Sequence, residues 1–267
     1  MKLLVKNQIV RDLKVGINRV SYIGIFLIFL ALGISIRLTA PDGIGLCWRD
    51  YLIKIFEGTQ EIGQMERTSS FYIPKEWLVV QFLFFILIAK YPKKDLEQQG
   101  IQIFIRTNSK RTWWLSKCVW LFCSGVLYYG LYYLAMAVVA IPGNTVEELY
   151  IQGSDIWQIG LSGYHTTEIN ITLLVMPFLC TTAIGMLQMV ISIAVSPILA
   201  LCCSIAYQVL AVAIQKSWIL GNYTMLCRHA QAGRSGVDNW KGIIISIGIF
   251  LTGMFLGIKY MKKKEFL

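Results

Sequence analysis

The sequence predicts an all-α membrane protein with six transmembrane helices, an N-terminal amphipathic surface helix, and both termini on the cytoplasmic side. Three observations predict it. Apolar residues make up 56% of the chain and charged residues only 15%, whereas a soluble domain carries about a quarter charged residues. The apolar residues gather into continuous runs of about 17 or more, the length of a helix crossing a bilayer core, rather than the alternating pattern of a membrane β-barrel. Lys and Arg, which give the chain a net charge of +10, collect beside these runs, where orientation rules and anionic headgroups account for them without nucleic acid.

Each element has its own signal. Between Lys2 and Val20, the apolar Val10, Leu13, Ile17 and Val20 recur at helical spacing, with Lys6, Arg11, Lys14 and Asn18 on the other side, which is the pattern of a helix lying on the membrane surface. The first apolar run has no small-x-small cleavage site before Pro41 and reads as a retained signal anchor. Span 1 covers Ser21–Ile36 and ends at Arg37 and Pro41. In the segment that follows, Tyr51, Leu52, Ile55 and Phe56 suit an interface. Span 2 is Trp77–Ala89, and span 3 runs from Leu115 to Ile141, stopped by Pro142 and Gly143. No charge occurs between Glu168 and Lys216; that length holds two helices and a tight turn, and Ser196-Pro197 marks the turn. Span 4 is therefore Ile171–Ala194 and span 5 Pro197–Gln215. Residues 216–240 form an outward-facing polar segment that dips back toward the membrane, and span 6 covers Gly242–Ile258.

The charges fit this arrangement. The three predicted cytoplasmic segments hold 16 Lys and Arg against 4 acids, and the outside segments hold 9 against 11, the bias that sets orientation. Lys216, Arg228, Arg234 and Lys241 run against it. The chain reads as one membrane domain, multi-pass in the cell membrane, with no soluble domain attached.

The chemistry the sequence lacks is informative. It has no nucleotide-binding loop, no HExxH and no CxxC, and its two histidines, His165 and His229, have no partner at ligand spacing. This predicts no catalytic residue, no metal site and no cofactor bound by this chain. The spans carry almost no ionisable residue, unlike ion-driven carriers. Their polar residues are mild. Gln81, Gln188 and Gln208 suit hydrogen bonds between helices; the second reading is that they line a substrate path. Cys118, Cys123, Cys180, Cys202 and Cys203 read as small packing residues; Cys47 and Cys227 both fall in predicted outside loops, and whether they pair is left open, since sequence gives no distance.

The longest polar stretch between two apolar ones is Lys90–Lys117, with seven Lys and Arg against Asp95 and Glu97. It reads as a cytoplasmic loop in which a short helix precedes an extended or helical apolar run, with Gly100 as a break. Tyr91-Pro92, Lys94-Asp95-Leu96, Gly100, Gln102, Arg106, Ser109-Lys110-Arg111, Trp114 and Lys117 together resemble the cytoplasmic loop of bacterial ABC-2 type transporter permeases, as in six-span Gram-positive members. The tail, Lys262-Lys263-Lys264-Glu265-Phe266-Leu267, resembles theirs too. The resemblance covers the whole chain, 1–267, as a single ABC-2-like domain, most closely in the loop.

The resemblance implies a permease subunit of an ATP-driven exporter. Residues 1–20 would be the connecting helix and 90–117 the coupling loop, with Lys94, Asp95, Leu96, Glu97, Gly100, Gln102 and Arg106 seated against a separate ABC ATPase. Asp95 and Glu97 would pair with basic residues there. ATP and Mg would belong to that partner, and a second permease chain, identical or different, would complete the membrane part. Peptides, lantibiotics, lipids and drugs all fit as outward-moving hydrophobic or amphipathic substrates. A different class of reading is a non-transporting multi-pass sensor or assembly factor.

Overall fold

The computed structural model describes residues 2–40, 45–59, 73–100, 110–142, 165–230 and 236–263. Among them the architecture is all-helical: α1 (Lys2–Gly16), α2 (Arg19–Thr39), α3 (Trp48–Phe56), α4 (Lys75–Ala89), α5 (Tyr91–Asp95, continued by a π-turn Leu96–Gly100), α6 (Lys110–Ala140), α7 (Thr166–Ala194), α8 (Pro197–Ala213) and α9 (Asn239–Lys263). Four helices, α2, α6, α7 and α9, are long and apolar enough to cross a membrane. α4 and α8 are shorter, at 15 and 17 residues, about 22 and 26 Å at 1.5 Å per residue against a hydrocarbon core of about 30 Å.

The helix ends follow local chemistry. Asn18 caps α2 by accepting from the Val20 N–H, and Ser196 caps α8 by accepting from the Leu199 N–H, with Pro197 opening the helix. α2 runs through Arg37 instead of ending there, because the long side chain reaches the Val139 carbonyl oxygen at 3.5 Å and keeps its stem along the helix. α7 starts a turn earlier than the apolar run. Ahead of Pro177 it loosens into a π-turn, Ile171–Val175, in which the Met176 N–H reaches the Ile171 carbonyl, a register shift that absorbs the proline's missing donor.

The interior is built on aromatic and small residues. Phe29 of α2 meets Tyr128 and Tyr132 of α6 edge-on, with ring centroids 5.2 and 5.3 Å apart. α9 lies closely against α7. Its buried stripe is Gly242, Ser246, Gly253 and Gly257, the small-xxx-small spacing that lets membrane helices approach. Side chains fill the room this leaves: Met176 and Tyr223 stand over Gly242, Met186 over Gly253, and the Trp114 indole over Gly257.

One piece expected at an interface is buried instead. Tyr51, Leu52, Ile55 and Phe56 of α3 do not lie on an interface but are enclosed, because the helix packs against α6 and its apolar face has core to cover. In the segment after α8, Lys216, Ser217 and Trp218 are exposed, and residues 219–229 pack into the bundle through 3₁₀ turns, Leu220–Thr224 and Leu226–Arg228; the Trp77 indole N–H of α4 donates to Thr224 Oγ1 at 2.9 Å. Conversely, Cys202 and Cys203 are exposed on α8, and Cys47 and Cys227 are free thiols rather than a disulfide.

Arg228 explains why the segment after α8 folds inward. Its guanidinium is buried and donates to the carbonyls of Ala211, Val212 and Ile214 at the end of α8, to Asn222 Oδ1, and to the Thr59 carbonyl at 2.7 Å. It thereby satisfies carbonyls that a helix C-terminus leaves open, at the end where the helix dipole favours a cation. Replacing Arg228 with Met strands those acceptors. The expected loss is on the order of 3 kcal/mol, read as a lowered melting temperature of the detergent-solubilised protein; an unchanged melting temperature would contradict this role.

Candidate functional site

One end of the bundle carries Lys6, Arg11, Lys14, Arg19, Lys90, Lys93, Lys94, Lys110, Arg111, Lys259, Lys262 and Lys263, and among the described residues its acids are Asp12, Asp95 and Glu97. The starts of α2, α6 and α8 and the ends of α4, α7 and α9 meet there. The Lys93 ammonium donates to the Val195 carbonyl at 2.9 Å, tying α5 to the turn between α7 and α8.

Inside this end lies a buried ion cluster. Lys117, one turn into the apolar run of α6, sits 2.9 Å from Asp12 Oδ2 and 2.7 Å from Asp95 Oδ2. All three side chains are buried. Arg11 closes the group at 2.8 Å from Asp12 and 3.2 Å from Asp95. Among the described residues two cations thus face two carboxylates, so their charges balance. Ser116 Oγ donates to Asp12 at 2.6 Å and the Trp113 indole N–H to Asp95 at 2.9 Å. The Lys117 ammonium also lies 4.5 Å over the Tyr91 ring and 5.1 Å over the Trp113 ring, a favourable setting for a desolvated cation. Burial, reinforced by Asp12 and Asp95, pushes the Tyr91 phenol above its ordinary value, so it remains a hydroxyl donor, 3.3 Å from Asp12 Oδ1.

The sequence places these residues together through three local choices. Pro92 opens α5 directly after α4, turning the chain so that Asp95 points back at α6. Gly16 ends α1 where a side chain would collide with Trp120 and Tyr91, whose rings stack with centroids 4.6 Å apart. Trp113 and Lys117, four residues apart, share a face of α6. Along α1, Gln8 and Asp12 face the bundle and Leu13 packs against the core, while Val10 is exposed; Ile17 beyond its end also packs against the core, and Val20 is exposed at the start of α2. The expected apolar stripe is thus divided between core and surface.

The predicted coupling residues separate. Asp95 is turned into the cluster and occupied there. Leu96 is also buried, while Lys94 and Glu97 are exposed beside it. Gly100 ends the π-turn, and Gln102 and Arg106 lie outside the described residues. Asp12 and Trp113 were not singled out from the sequence, and Arg11 and Lys117 were named only as parts of a polar helix face and a basic loop. The available signal was a lysine inside an apolar run, which calls for a named partner, and one acid within a basic N-terminal helix.

The three glutamines bond between helices. Thr181 Oγ1 donates to Gln81 Oε1 at 2.8 Å, Gln208 Nε2 donates to the same oxygen at 3.1 Å, and Tyr129 and Thr181 share a hydrogen at 2.6 Å. This buried neutral network joins α4, α6, α7 and α8. Gln188 Nε2 donates to the Phe85 carbonyl at 2.9 Å.

At the opposite end is a polar cavity of about 270 Å³ lined by Glu168, Thr172, His229, Asp238 and Asn239 among others. Asn239 Nδ2 donates to Glu168 Oε2 at 2.6 Å. His229 Nε2 donates to the Tyr223 carbonyl at 3.2 Å, which fixes its tautomer, since a carbonyl only accepts. Burial lowers the imidazole pKa, so the ring is neutral in the folded chain. Among the described residues no group of three His, Cys, Asp or Glu side chains is arranged to hold a metal ion.

Two outcomes are expected. Lys117→Met or Asp12→Asn alone leaves buried charge uncompensated and costs about 3–5 kcal/mol, whereas the pair together costs less than the two singles summed, because Arg11 and Asp95 still balance. A double-mutant cycle on melting temperature measures this, and simple additivity would contradict the cluster. For His229, the unfolded ring binds a proton below its ordinary pKa of 6.5, while the folded ring, its pKa lowered by burial, takes one up only at lower pH. Stability therefore falls as pH drops below that value. His229→Gln flattens this fall in a series of melting curves; an equally steep fall in the variant would assign it to other groups.

Neither a protein-family model nor a curated protein matches the chain.

Proposed function

We propose that this chain is the membrane-spanning permease subunit of an ATP-driven ABC exporter of the ABC-2 type, moving a hydrophobic or amphipathic substrate outward. In this reading α4 and α8 are short spans beside the four long ones, making six, and the basic end of the bundle faces the cytoplasm. A separate ATPase binds ATP and Mg and docks on the segment between Lys90 and Lys117. A second permease chain completes the membrane part.

The ion cluster is the observation that carries the reading. It fastens the surface helix α1 and the first turns of the polar segment to the start of a spanning helix. A force applied to α5 from the cytosol then reaches α6 through Lys117 rather than being lost in a loose loop. Asp95 is consequently a fastening residue, and contact with the ATPase falls to the exposed Lys94 and Glu97 and to the stretch containing Gln102 and Arg106. The one-sided charge of the bundle supports the orientation.

The test uses the tagged full chain at its native expression level, purified in mild detergent. An ABC ATPase is expected to co-purify in stoichiometric amount, with ATP hydrolysis in the complex. The Lys94→Glu/Glu97→Lys variant should hold that ATPase about tenfold more weakly while keeping the parent's melting temperature. Purification without an ATPase, or labelling of Glu97→Cys by an impermeant maleimide from outside intact cells, would end the reading.

A further inference from the structure

The polar cavity of about 270 Å³ lies where the starts of α7 and α9 meet the 3₁₀ turns that follow α8, far from the ion cluster. His229, Thr172 and Asn239 line it and are buried. Glu168 is half-buried beside them, and Asp238, Trp240 and Lys241 are exposed at its mouth.

His229 is 5% exposed. Its Nε2–H is spent on the Tyr223 carbonyl at 3.2 Å, so Nδ1 carries a lone pair. That nitrogen has no hydrogen-bond partner among the described residues, yet it is not one of the unpaired polar atoms sealed inside the fold. A buried ring that lines a cavity with an open acceptor calls for a donor. Glu168 presents a second open acceptor. Its Oε2 takes the Asn239 amide at 2.6 Å, and its Oε1 has no partner among the described residues. Thr172 Oγ1 stands between the two groups, 2.9 Å from the Glu168 carbonyl and 3.4 Å from His229 Nε2. Thr172 and Asn239 are themselves occupied with one another.

The charges point the same way. Lys241 is paired with Asp238 at 2.9 Å, which leaves the carboxylate of Glu168 as the unbalanced charge among the described residues of the lining. The starts of α7 and α9 would by themselves favour an anion, but each already has its own acid, Glu168 and Asp238. An entering anion would face that carboxylate and a lone pair. A neutral donor would leave Glu168 uncompensated.

We propose that this cavity binds a small primary ammonium, which donates to His229 Nδ1 and Glu168 Oε1 with its carbon chain against the Trp240 indole. One head group then supplies both the positive charge and the several N–H donors that the two acceptors require, and the exposed indole offers a face that suits a cation and its alkyl chain alike. The site does not rest on the chain being an exporter.

The experiment uses the purified full chain in detergent, with ¹⁵N in the imidazole rings and the probe n-butylammonium. The chain has two histidines, so His165→Gln assigns the His229 signals. Calorimetry is expected to show saturable binding of one n-butylammonium per chain, and the His229 Nδ1 resonance should move as its lone pair accepts a hydrogen bond. 1-Butanol, which lacks the charge, and tetramethylammonium, which lacks the N–H, should each bind about tenfold more weakly. Glu168→Gln should weaken n-butylammonium about tenfold. Trp240→Lys, at the exposed mouth, should weaken it about threefold and keeps the test decisive if Glu168→Gln fails to fold. Nanodiscs separate two sources of the amine. A moved resonance in phosphatidylethanolamine without added probe, and not in phosphatidylcholine, assigns a lipid headgroup; movement in both only after n-butylammonium is added assigns a free amine. Absence of saturable binding, equal affinity for n-butylammonium and 1-butanol, an unmoved Nδ1 resonance at saturation, or affinity indifferent to the folded variants would each overturn the proposal.

Discussion

Lys117 is a fully buried ammonium at the point where α6 leaves the polar segment and becomes apolar. An isolated charge there would cost several kcal/mol, so the chain must bring anions to it. One comes from α1 and one from α5, elements separated by more than eighty residues in sequence. Each carboxylate in turn would be stranded without the lysine. Satisfying one buried cation therefore dictates that α1 folds back along the bundle, that α5 turns inward directly after α4, and that both pack on the first turns of α6. Arg11 balances the remaining charge, and Tyr91, Trp113 and Ser116 supply the hydrogen bonds that a desolvated ion group needs.

From that anchor α6 organises the rest. It touches α1, α2, α3, α7 and α9. Its tyrosines bond to the backbone of α4 and α7 and to Thr181, so helix association in the middle rests on neutral hydrogen bonds and close packing rather than charge. The far end is closed by a different device. Arg228 takes backbone carbonyls of α8 among its partners, which fixes the chain between α8 and α9.

The long apolar runs were legible because their signal is local: length and absence of charge. α2, α6, α7 and α9 all emerged from that rule with shifted ends. The shifts came from single side chains, Arg37 reaching a carbonyl and Pro177 forcing a π-turn, which a hydropathy window averages away. The site was less legible. Asp95 stood out as an acid in a basic loop, and a charge in a polar loop reads as available to a partner. Its inward turn depends on Lys117, and a lysine at the edge of an apolar run looks like a headgroup anchor until the fold places two carboxylates beside it. The burial of α3 and of residues 219–229 is a tertiary outcome, set by the space that α4, α6 and α8 leave at one end.

The distribution of polarity bears on how such a bundle would work. Its buried ion cluster sits at one end, its buried guanidinium at the other, and its middle is joined by Gln81, Thr181, Tyr129 and Gln208, none of which changes charge in the physiological range. Rearranging the middle therefore exchanges neutral hydrogen bonds, each of modest net worth at about 1 kcal/mol, whereas rearranging the ion cluster separates buried charges at several times that cost. Motion would consequently keep α1, α5 and the start of α6 together as a unit and shift the weaker contacts of α7, α8 and α9 around it. On the proposed reading, that stiffness is what an external motor requires: a handle that moves as one piece, attached to helices whose mutual contacts are cheap enough to exchange.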